Sequence, residues 1–141
     1  MPPGPSSVLY VEDEESDRLL MQRAFMSAGM GETLRMVEDG QAAVDYLSGT
    51  GKYAERTQYP LPALVLLDLN LPELSGFEVL KWTRSLPHLQ GLPIVVFSSS
   101  SLPEDRAKSM ALGANDYLEK PRSGLMFRTV ARELKERWLS C

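Results

Sequence analysis

The sequence has a single cysteine, Cys141, which excludes an internal disulfide and fits a reducing compartment. It has no apolar run long enough to span a membrane. Its start lacks the basic and apolar segments of a secretory signal, so we interpret residues 1–7 as a disordered tail. A net charge of −4 gives no sign of the basic patch typical of nucleic-acid-binding domains. These absences favour a cytoplasmic protein that binds neither membranes nor nucleic acids.

The composition is that of an ordinary globular protein, with 43% hydrophobic and 24% charged residues. A chain of 141 residues is long enough to bury a sizeable core and fits one domain. We place that domain at residues 8–139 and expect no output domain after it. Internal repeats and low-complexity tracts are absent from the sequence.

Short apolar runs alternate with amphipathic segments along the chain. The runs predict five strands, at 8–11, 34–37, 63–67, 93–97 and 116–119. Helices are predicted after each of them, at about 15–28, 41–48, 75–84, 103–112 and 124–139. This alternation predicts an α/β fold, a flavodoxin-like (βα)5 doubly wound sheet of five parallel strands in the order 2-1-3-4-5.

Two connections carry further predictions. Ser101 and Glu104 have the spacing of a capping box, with Pro103 in the first turn of the fourth helix. The polar segment 50–62 is long for a structureless loop in a compact domain. It is either a functional insertion or an extension of the second helix by one turn, and the sequence leaves both open.

Polar residues follow four of the five predicted strands. Glu12 and Asp13 follow the first, Asp68 the third, Ser98 the fourth and Lys120 the fifth. Because the first and third strands are neighbours in this order, Asp13 and Asp68 are expected to lie close together. Clustered acids require raised pKa values or a bound cation. Oxygen ligands favour a hard cation, and a site completed by waters and a phosphate suits Mg²⁺ better than Ca²⁺.

The same residues suit phosphoryl chemistry. Lys120 offers a positive charge and Ser98 a hydroxyl, both useful to phosphoryl oxygens. Asp68 is left as the nucleophile, as in aspartyl-phosphate chemistry. Each residue has an ordinary alternative role, such as a loop-ordering aspartate or a solvated lysine. Their coincidence at successive strand ends favours a functional site.

Four motifs resemble the receiver domain of two-component response regulators, of the chemotaxis-regulator type. They are VLYVED ending at Asp13, LDLNLP around Asp68 with Gly76 after it, VVFSS around Ser98, and GANDYLEKP around Lys120. The resemblance covers about residues 8–139. The length of the 50–62 segment is also similar to that of stand-alone regulators paired with bacterial phytochrome kinases.

The resemblance implies a phosphorelay protein whose Asp68 accepts a phosphoryl group from a sensor histidine kinase or a phosphotransfer protein. It implies Mg²⁺ bound by Asp13 and Asp68, by Glu12 through water, and by the backbone carbonyl of Asn70. Ser98 is the implied switch hydroxyl and Tyr117 the switch aromatic, and Lys120 pairs with the phosphoryl group. The residues implied to flank the phosphoryl site are Asn70, Ser99, Ser100 and Pro121. The Lys120–Pro121 peptide is expected to be cis.

The resemblance further implies a phosphoacceptor with self-phosphorylation and slow autodephosphorylation, and no turnover enzyme. Its output is then binding to a downstream protein target. A homodimer through the last helices and the fifth strand is a further candidate. The implied interaction face includes Met110, Tyr117, Phe127 and Trp138, although apolar residues in such positions are more often part of the core.

Three other interpretations remain open at this point. A haloacid-dehalogenase-type phosphohydrolase also uses an aspartate nucleophile and Mg²⁺, but usually has a second Asp two positions later, where this chain has Asn70. A flavodoxin-like nucleotide binder would need a Gly-rich loop after the first strand, which is followed here by acids. A receiver-like docking module that is never phosphorylated would not need Asp13, Asp68, Ser98 and Lys120 intact.

Overall fold

The computed structural model describes residues 7–139, and residues 1–6 and 140–141 lie outside it. Of the predicted tail, 1–7, only Ser7 is therefore described, and the prediction is wrong for that residue. Ser7 is buried, and its carbonyl accepts a hydrogen bond from the amide N–H of Ala63 (2.8 Å). This bond extends the pairing of the first and third strands by one step.

The five predicted strands are present and form one parallel sheet. They are β1 (Val8–Val11), β2 (Leu34–Val37), β3 (Leu64–Leu67), β4 (Ile94–Ser98) and β5 (Asp116–Glu119). Their order is β2-β1-β3-β4-β5, which confirms the predicted flavodoxin-like topology. Every residue of β1, β3 and β4 is buried, because helices cover both faces of the sheet. That burial explains their uninterrupted apolar runs.

Five helices connect and cover these strands. They are α1 (Glu15–Ser27), α2 (Gly40–Ser48), α3 (Gly76–Ser85), α4 (Pro103–Ala111) and α5 (Met126–Leu134), the last continued by a π-helical turn (Lys135–Leu139). One apolar cluster packs α1 and α5 on one face of the sheet, and a second packs α2 and α3 on the other. Within residues 7–139, no helix has the length and apolar character needed to cross a membrane.

The helix starts differ in part from those predicted. Ser101 and Glu104 form no capping box, because Pro103 is the first residue of α4 and the capping position falls on Leu102. Ser100 orders the start of α4 instead, because its hydroxyl donates to Asp105 Oδ2 in the first turn of the helix (2.6 Å). A capping box does occur at α3, between Ser75 and Glu78.

The segment 50–62 does not extend α2. The helix ends at Ser48, and a separate 3₁₀ turn follows at Gly51–Ala54. The rings of Tyr46, Tyr53 and Tyr59 contact one another with centroids 5.0–6.1 Å apart. Arg56 donates to the carbonyls of Tyr46 (2.8 Å) and Leu47 (3.1 Å) in the last turn of α2, and the Tyr46 carbonyl also accepts from the Gly49 amide (3.2 Å). The insertion is therefore an ordered unit with its own small core.

Candidate functional site

The carboxyl ends of β1 and β3 bring three acidic side chains together. Val11 pairs with Leu67 in the sheet, so the next residues, Glu12 and Asp68, are neighbours. Carboxylate oxygens of Glu12, Asp13 and Asp68 lie within 4.8 Å of one another. Glu12 and Asp68 are buried, whereas Asp13 is exposed. The structure thus confirms that these three residues converge, with solvent access on the Asp13 side.

Lys120 places its ammonium group among these acids. Its Nζ donates to Asp17 Oδ2 (2.9 Å) and Asp68 Oδ2 (3.1 Å), and it forms an ion pair with Glu12 Oε1 (2.5 Å). The side chain is positioned from the backbone, since the Lys120 amide donates to the carbonyl of Ser98 at the end of β4 (2.7 Å). An ammonium group has three N–H donors, and three carboxylates contact it here.

Asp17 is a site residue that the sequence reasoning missed. It lies in the first turn of α1 and not at a strand end, so the strand-end pattern does not include it. Asp13 precedes the helix, so no helical spacing relates the two residues and the sequence pattern carries no signal for Asp17. Tyr10 was missed as well. Its hydroxyl, buried inside β1, donates to Glu12 Oε1 (3.0 Å).

The electrostatics follow from burial and crowding. Burial, together with the neighbouring Asp68, raises the pKa of Glu12 to about 7, against the opposing effect of Lys120. Burial alone would lower the pKa of Lys120, but its bonds to Glu12 and Asp17 raise it above the ordinary lysine value. Burial and the Glu12 charge likewise raise the pKa of Tyr10, which keeps its hydroxyl a donor.

The donor set fits a divalent cation. Three carboxylates converge, two of them buried, and every potential ligand atom is an oxygen, as hard cations prefer. Three carboxylates and the single ammonium group of Lys120 leave the cluster with an excess of negative charge, which a cation would balance. Asn70 follows on the same loop, and its backbone N–H donates to Asp68 Oδ1 (3.2 Å) while its side chain is exposed.

Gly76 holds α3 against the loop that carries Asp68. A β-carbon at Gly76 would lie 2.1 Å from the carbonyl oxygen of Asp68 and 2.7 Å from Leu69 Cα. The Gly76 amide also donates to the carbonyl of Leu69 (3.1 Å). Only glycine permits this approach, so Gly76 fixes the backbone of the candidate nucleophile.

The predicted switch residues are linked through the loop between β4 and α4. Ser98 is buried, and its Oγ accepts the amide N–H of Ser100 (3.2 Å). The Tyr117 hydroxyl donates to the carbonyl of Ser100 (2.7 Å). Ser99, which lies between Ser98 and Ser100 in the loop, is exposed. Ser100 therefore connects the Ser98 hydroxyl to the Tyr117 hydroxyl, and a displacement of Ser98 Oγ would change both hydrogen bonds.

Two expectations near β5 are wrong. No peptide bond within residues 7–139 is cis, so the Lys120–Pro121 bond is trans, the lower-energy form for most X–Pro bonds. Of the residues assigned to an interaction face, Tyr117 and Phe127 are buried, and Phe127 packs against Phe97 with ring centroids 5.6 Å apart. Met110 is exposed and Trp138 half-buried, so these two remain on the surface.

This parallel sheet, with an acid cluster at β1, an aspartate at β3 and a lysine after β5, defines the class of response-regulator receiver domains. The profile of the family "Response regulator receiver domain" matches residues 8–130, and the chain belongs to this family. The assignment confirms the resemblance drawn from the motifs. It leaves the haloacid-dehalogenase and nucleotide-binder interpretations without support.

Two relatives and one solved structure match this chain over nearly its full length. The probable methanogenesis regulatory protein FilR2 of Methanothrix harundinacea is 36% identical, over 96% of this chain and 84% of its own. The response regulator Rcp1 of Synechocystis sp. is 34% identical, over 96% and 90%, and a crystal structure of it contains Mn²⁺. The structure of the phosphorylated cyanobacterial phytochrome response regulator RcpA superposes with a TM-score of 0.89, at 34% identity, over 97% and 96% of the two chains.

Proposed function

We propose that this protein is a stand-alone response regulator whose Asp68 accepts a phosphoryl group from the phosphohistidine of a sensor histidine kinase or phosphotransfer protein, with Mg²⁺. One observation carries the proposal. Asp68 is buried at the end of a central strand, within 4.8 Å of two further carboxylates and hydrogen-bonded to Lys120. Such a carboxylate, set among groups that balance charge, suits an aspartyl phosphate.

Glu12, Asp13 and Asp68, with the Asn70 carbonyl, would hold Mg²⁺, which supplies positive charge next to the entering phosphoryl group. An Asp68 carboxylate oxygen attacks phosphorus, the P–N bond of the phosphohistidine breaks, and its electron pair stays on the imidazole nitrogen. Lys120 donates to the phosphoryl oxygens and balances their charge. The Asn70 amide N–H orients the nucleophile through Asp68 Oδ1.

Slow hydrolysis follows from the residues around the acyl phosphate. Asn70 lies two positions after Asp68, and its side-chain carboxamide cannot act as a general acid or base to activate a water molecule. Ser99 and Ser100 flank the site from the β4 side. The chain is therefore a phosphoacceptor that dephosphorylates slowly, and no turnover enzyme.

Phosphorylation of Asp68 would change the surface of α4 and α5 by moving the β4–α4 loop. A phosphoryl group on Asp68 attracts the Ser98 hydroxyl, which breaks its bond to the Ser100 amide and thereby disturbs the Tyr117 bond to the same residue. The exposed part of α4 and α5, including Met110, would then change its affinity for a downstream protein or a second copy of the chain. Light scattering with and without beryllofluoride tests the homodimer.

We place a phytochrome-type histidine kinase upstream, and the protein in the cytoplasm. The support for the kinase is the similarity to the phytochrome response regulator RcpA over 97% of the chain. The test is phosphotransfer from such a kinase, labelled on its histidine. Failure with phytochrome-type kinases and transfer from another sensor kinase would refute only this part.

The central test uses acetyl phosphate and Mg²⁺, followed by intact-mass measurement. We expect one added phosphate on the wild type and none on Asp68→Asn. The matched control is Asp45→Asn, which removes a carboxylate on α2 away from the site and should leave the phosphate gain unchanged. An unmodified wild type would indicate the docking module, and continuous hydrolysis of phosphate esters would indicate an enzyme.

A further inference from the structure

Lys120 has one partner that does not belong to the metal-binding cluster. The cluster consists of Glu12, Asp13 and Asp68, whereas Asp17 projects from the first turn of α1. The Asp17 carboxylate accepts from Lys120 Nζ at 2.9 Å, closer than the 3.1 Å to Asp68. Asp17 keeps a side-chain exposure of 24% and Lys120 only 9%, so the pair is largely shielded from solvent. This contact joins α1 to the end of β5.

The three carboxylate partners of Lys120 would compete with a phosphoryl group. Because Glu12, Asp17 and Asp68 already contact its ammonium group, a phosphoryl oxygen has to displace one of them. A cation in the acid cluster would balance the charges of Glu12 and Asp68 and weaken their hold on Lys120. Asp17 lies outside that cluster and keeps its full negative charge. It is therefore the partner that competes longest with the phosphoryl group.

We propose that Asp17 is a positioning residue that holds Lys120 on α1 in the unphosphorylated protein and gives it up when Asp68 is phosphorylated. Asp17 thereby slows phosphorylation and ties the first turn of α1 to β5 in one state only. This inference rests on the proposed function, because it assumes that Lys120 turns to a phosphoryl group on Asp68.

The test compares two substitutions that each remove one negative charge from the first turn of α1. Asp17→Asn keeps a side-chain acceptor of similar shape but loses the charge that binds Lys120. Glu15→Gln is the control, since Glu15 is exposed and has no side-chain hydrogen bond or ion pair within the described part of the chain. With acetyl phosphate and saturating Mg²⁺, the phosphorylation rate constant should rise about tenfold in Asp17→Asn, the effect of one charge-assisted hydrogen bond. It should change by less than about twofold in Glu15→Gln.

Two further measurements separate positioning from a general charge effect. In a Lys120→Gln background, followed over longer incubations, Asp17→Asn should no longer accelerate phosphorylation. Hydrogen exchange of the first turn of α1 should increase when the wild type binds beryllofluoride, and this increase should be absent in Asp17→Asn. A purely structural role for Asp17 would leave neither signature.

The outcomes discriminate between the two proposals. A wild type that gains no phosphate refutes the proposed function, and with it this inference. A wild type that is phosphorylated, with Asp17→Asn reacting at the same rate, refutes the role of Asp17 alone. An acceleration of equal size in the Lys120→Gln background also refutes it, because the effect would then not act through Lys120.

Discussion

Replacing Gly76 by alanine should destabilise the protein and impair phosphorylation together. The added β-carbon would lie 2.1 Å from the Asp68 carbonyl oxygen and 2.7 Å from Leu69 Cα, and both are backbone atoms that cannot rotate away. Relieving this overlap requires α3 or the Asp68 loop to move. Overpacking of this kind costs about 1–3 kcal/mol. Weakening the bond from the Gly76 amide to Leu69 adds about 1 kcal/mol.

Alanine also offsets part of this cost, since it favours the helix over glycine by about 1 kcal/mol. The net loss of unfolding free energy is then about 3 kcal/mol, near the upper end of the overpacking range, because backbone atoms are involved. In a domain of this size, that corresponds to a fall in Tm of roughly 10 °C. Because the Asp68 loop has to shift, the rate of phosphorylation by acetyl phosphate should fall at least about tenfold.

Urea unfolding of the metal-free protein measures the stability loss, and intact mass measures the phosphorylation rate. Gly91→Ala is the matched control, because a β-carbon there would meet no heavy atom within 4 Å. This control should be as stable as the wild type or up to about 1 kcal/mol more stable, through the unfolded state. If Gly76→Ala behaves like Gly91→Ala in both assays, the close approach of α3 to Asp68 is not as described.

Two further predictions concern the cation and the insertion. Because the pKa of Glu12 is raised to about 7, Glu12 carries a proton below that pH, and binding Mg²⁺ must release it. Titration calorimetry in two buffers should therefore show proton release at pH 6 and none at pH 8, with affinity falling up to about tenfold per pH unit below 7. Glu12→Gln should abolish the proton release, and equal release at both pH values would contradict the assignment. Arg56→Ala should lower the unfolding free energy by about 1–3 kcal/mol, because it removes the side-chain donors to carbonyls in the last turn of α2. Phosphorylation should be unaffected. The control Lys52→Ala removes only the exposed contact of Lys52 with the Tyr53 ring (5.2 Å), so it should cost less than about 1 kcal/mol in urea unfolding.

The strand-end residues were predictable from sequence because a parallel sheet leaves them little freedom. An apolar run that is buried on both faces must end at the sheet edge, and the five-strand order makes β1 and β3 neighbours. The position of Glu12 and Asp68 then follows from strand register, as the Val11–Leu67 pair shows. The identity of the Lys120 partners does not follow, because Asp17 reaches the site from a helix.

The wrong predictions for the start of α4 and for the interaction face depend on details that the sequence pattern does not specify. A capping motif shifted by one position fits the sequence as well, and Pro103 decides that Ser100 orders the start of α4. The exposure of Tyr117 and Phe127 depends on how α4 and α5 pack on the sheet, which apolar spacing alone does not specify. The segment 50–62, which the sequence left open, contains Tyr53 and Tyr59, and both rings pack with Tyr46 of α2 once Arg56 fixes the turn.

Under the proposed function, the charge balance of the site gives its parts a fixed order. Three carboxylates, those of Glu12, Asp17 and Asp68, contact the single ammonium group of Lys120, and Asp13 completes the acid cluster next to them. Withdrawing the lysine would leave buried acids without a counter-charge. Lys120 would therefore become available to a phosphoryl group only once the acid cluster has another source of positive charge. The proposed need for a cation before phosphorylation thus rests on the carboxylate contacts of one lysine, as well as on the charge of the incoming phosphate.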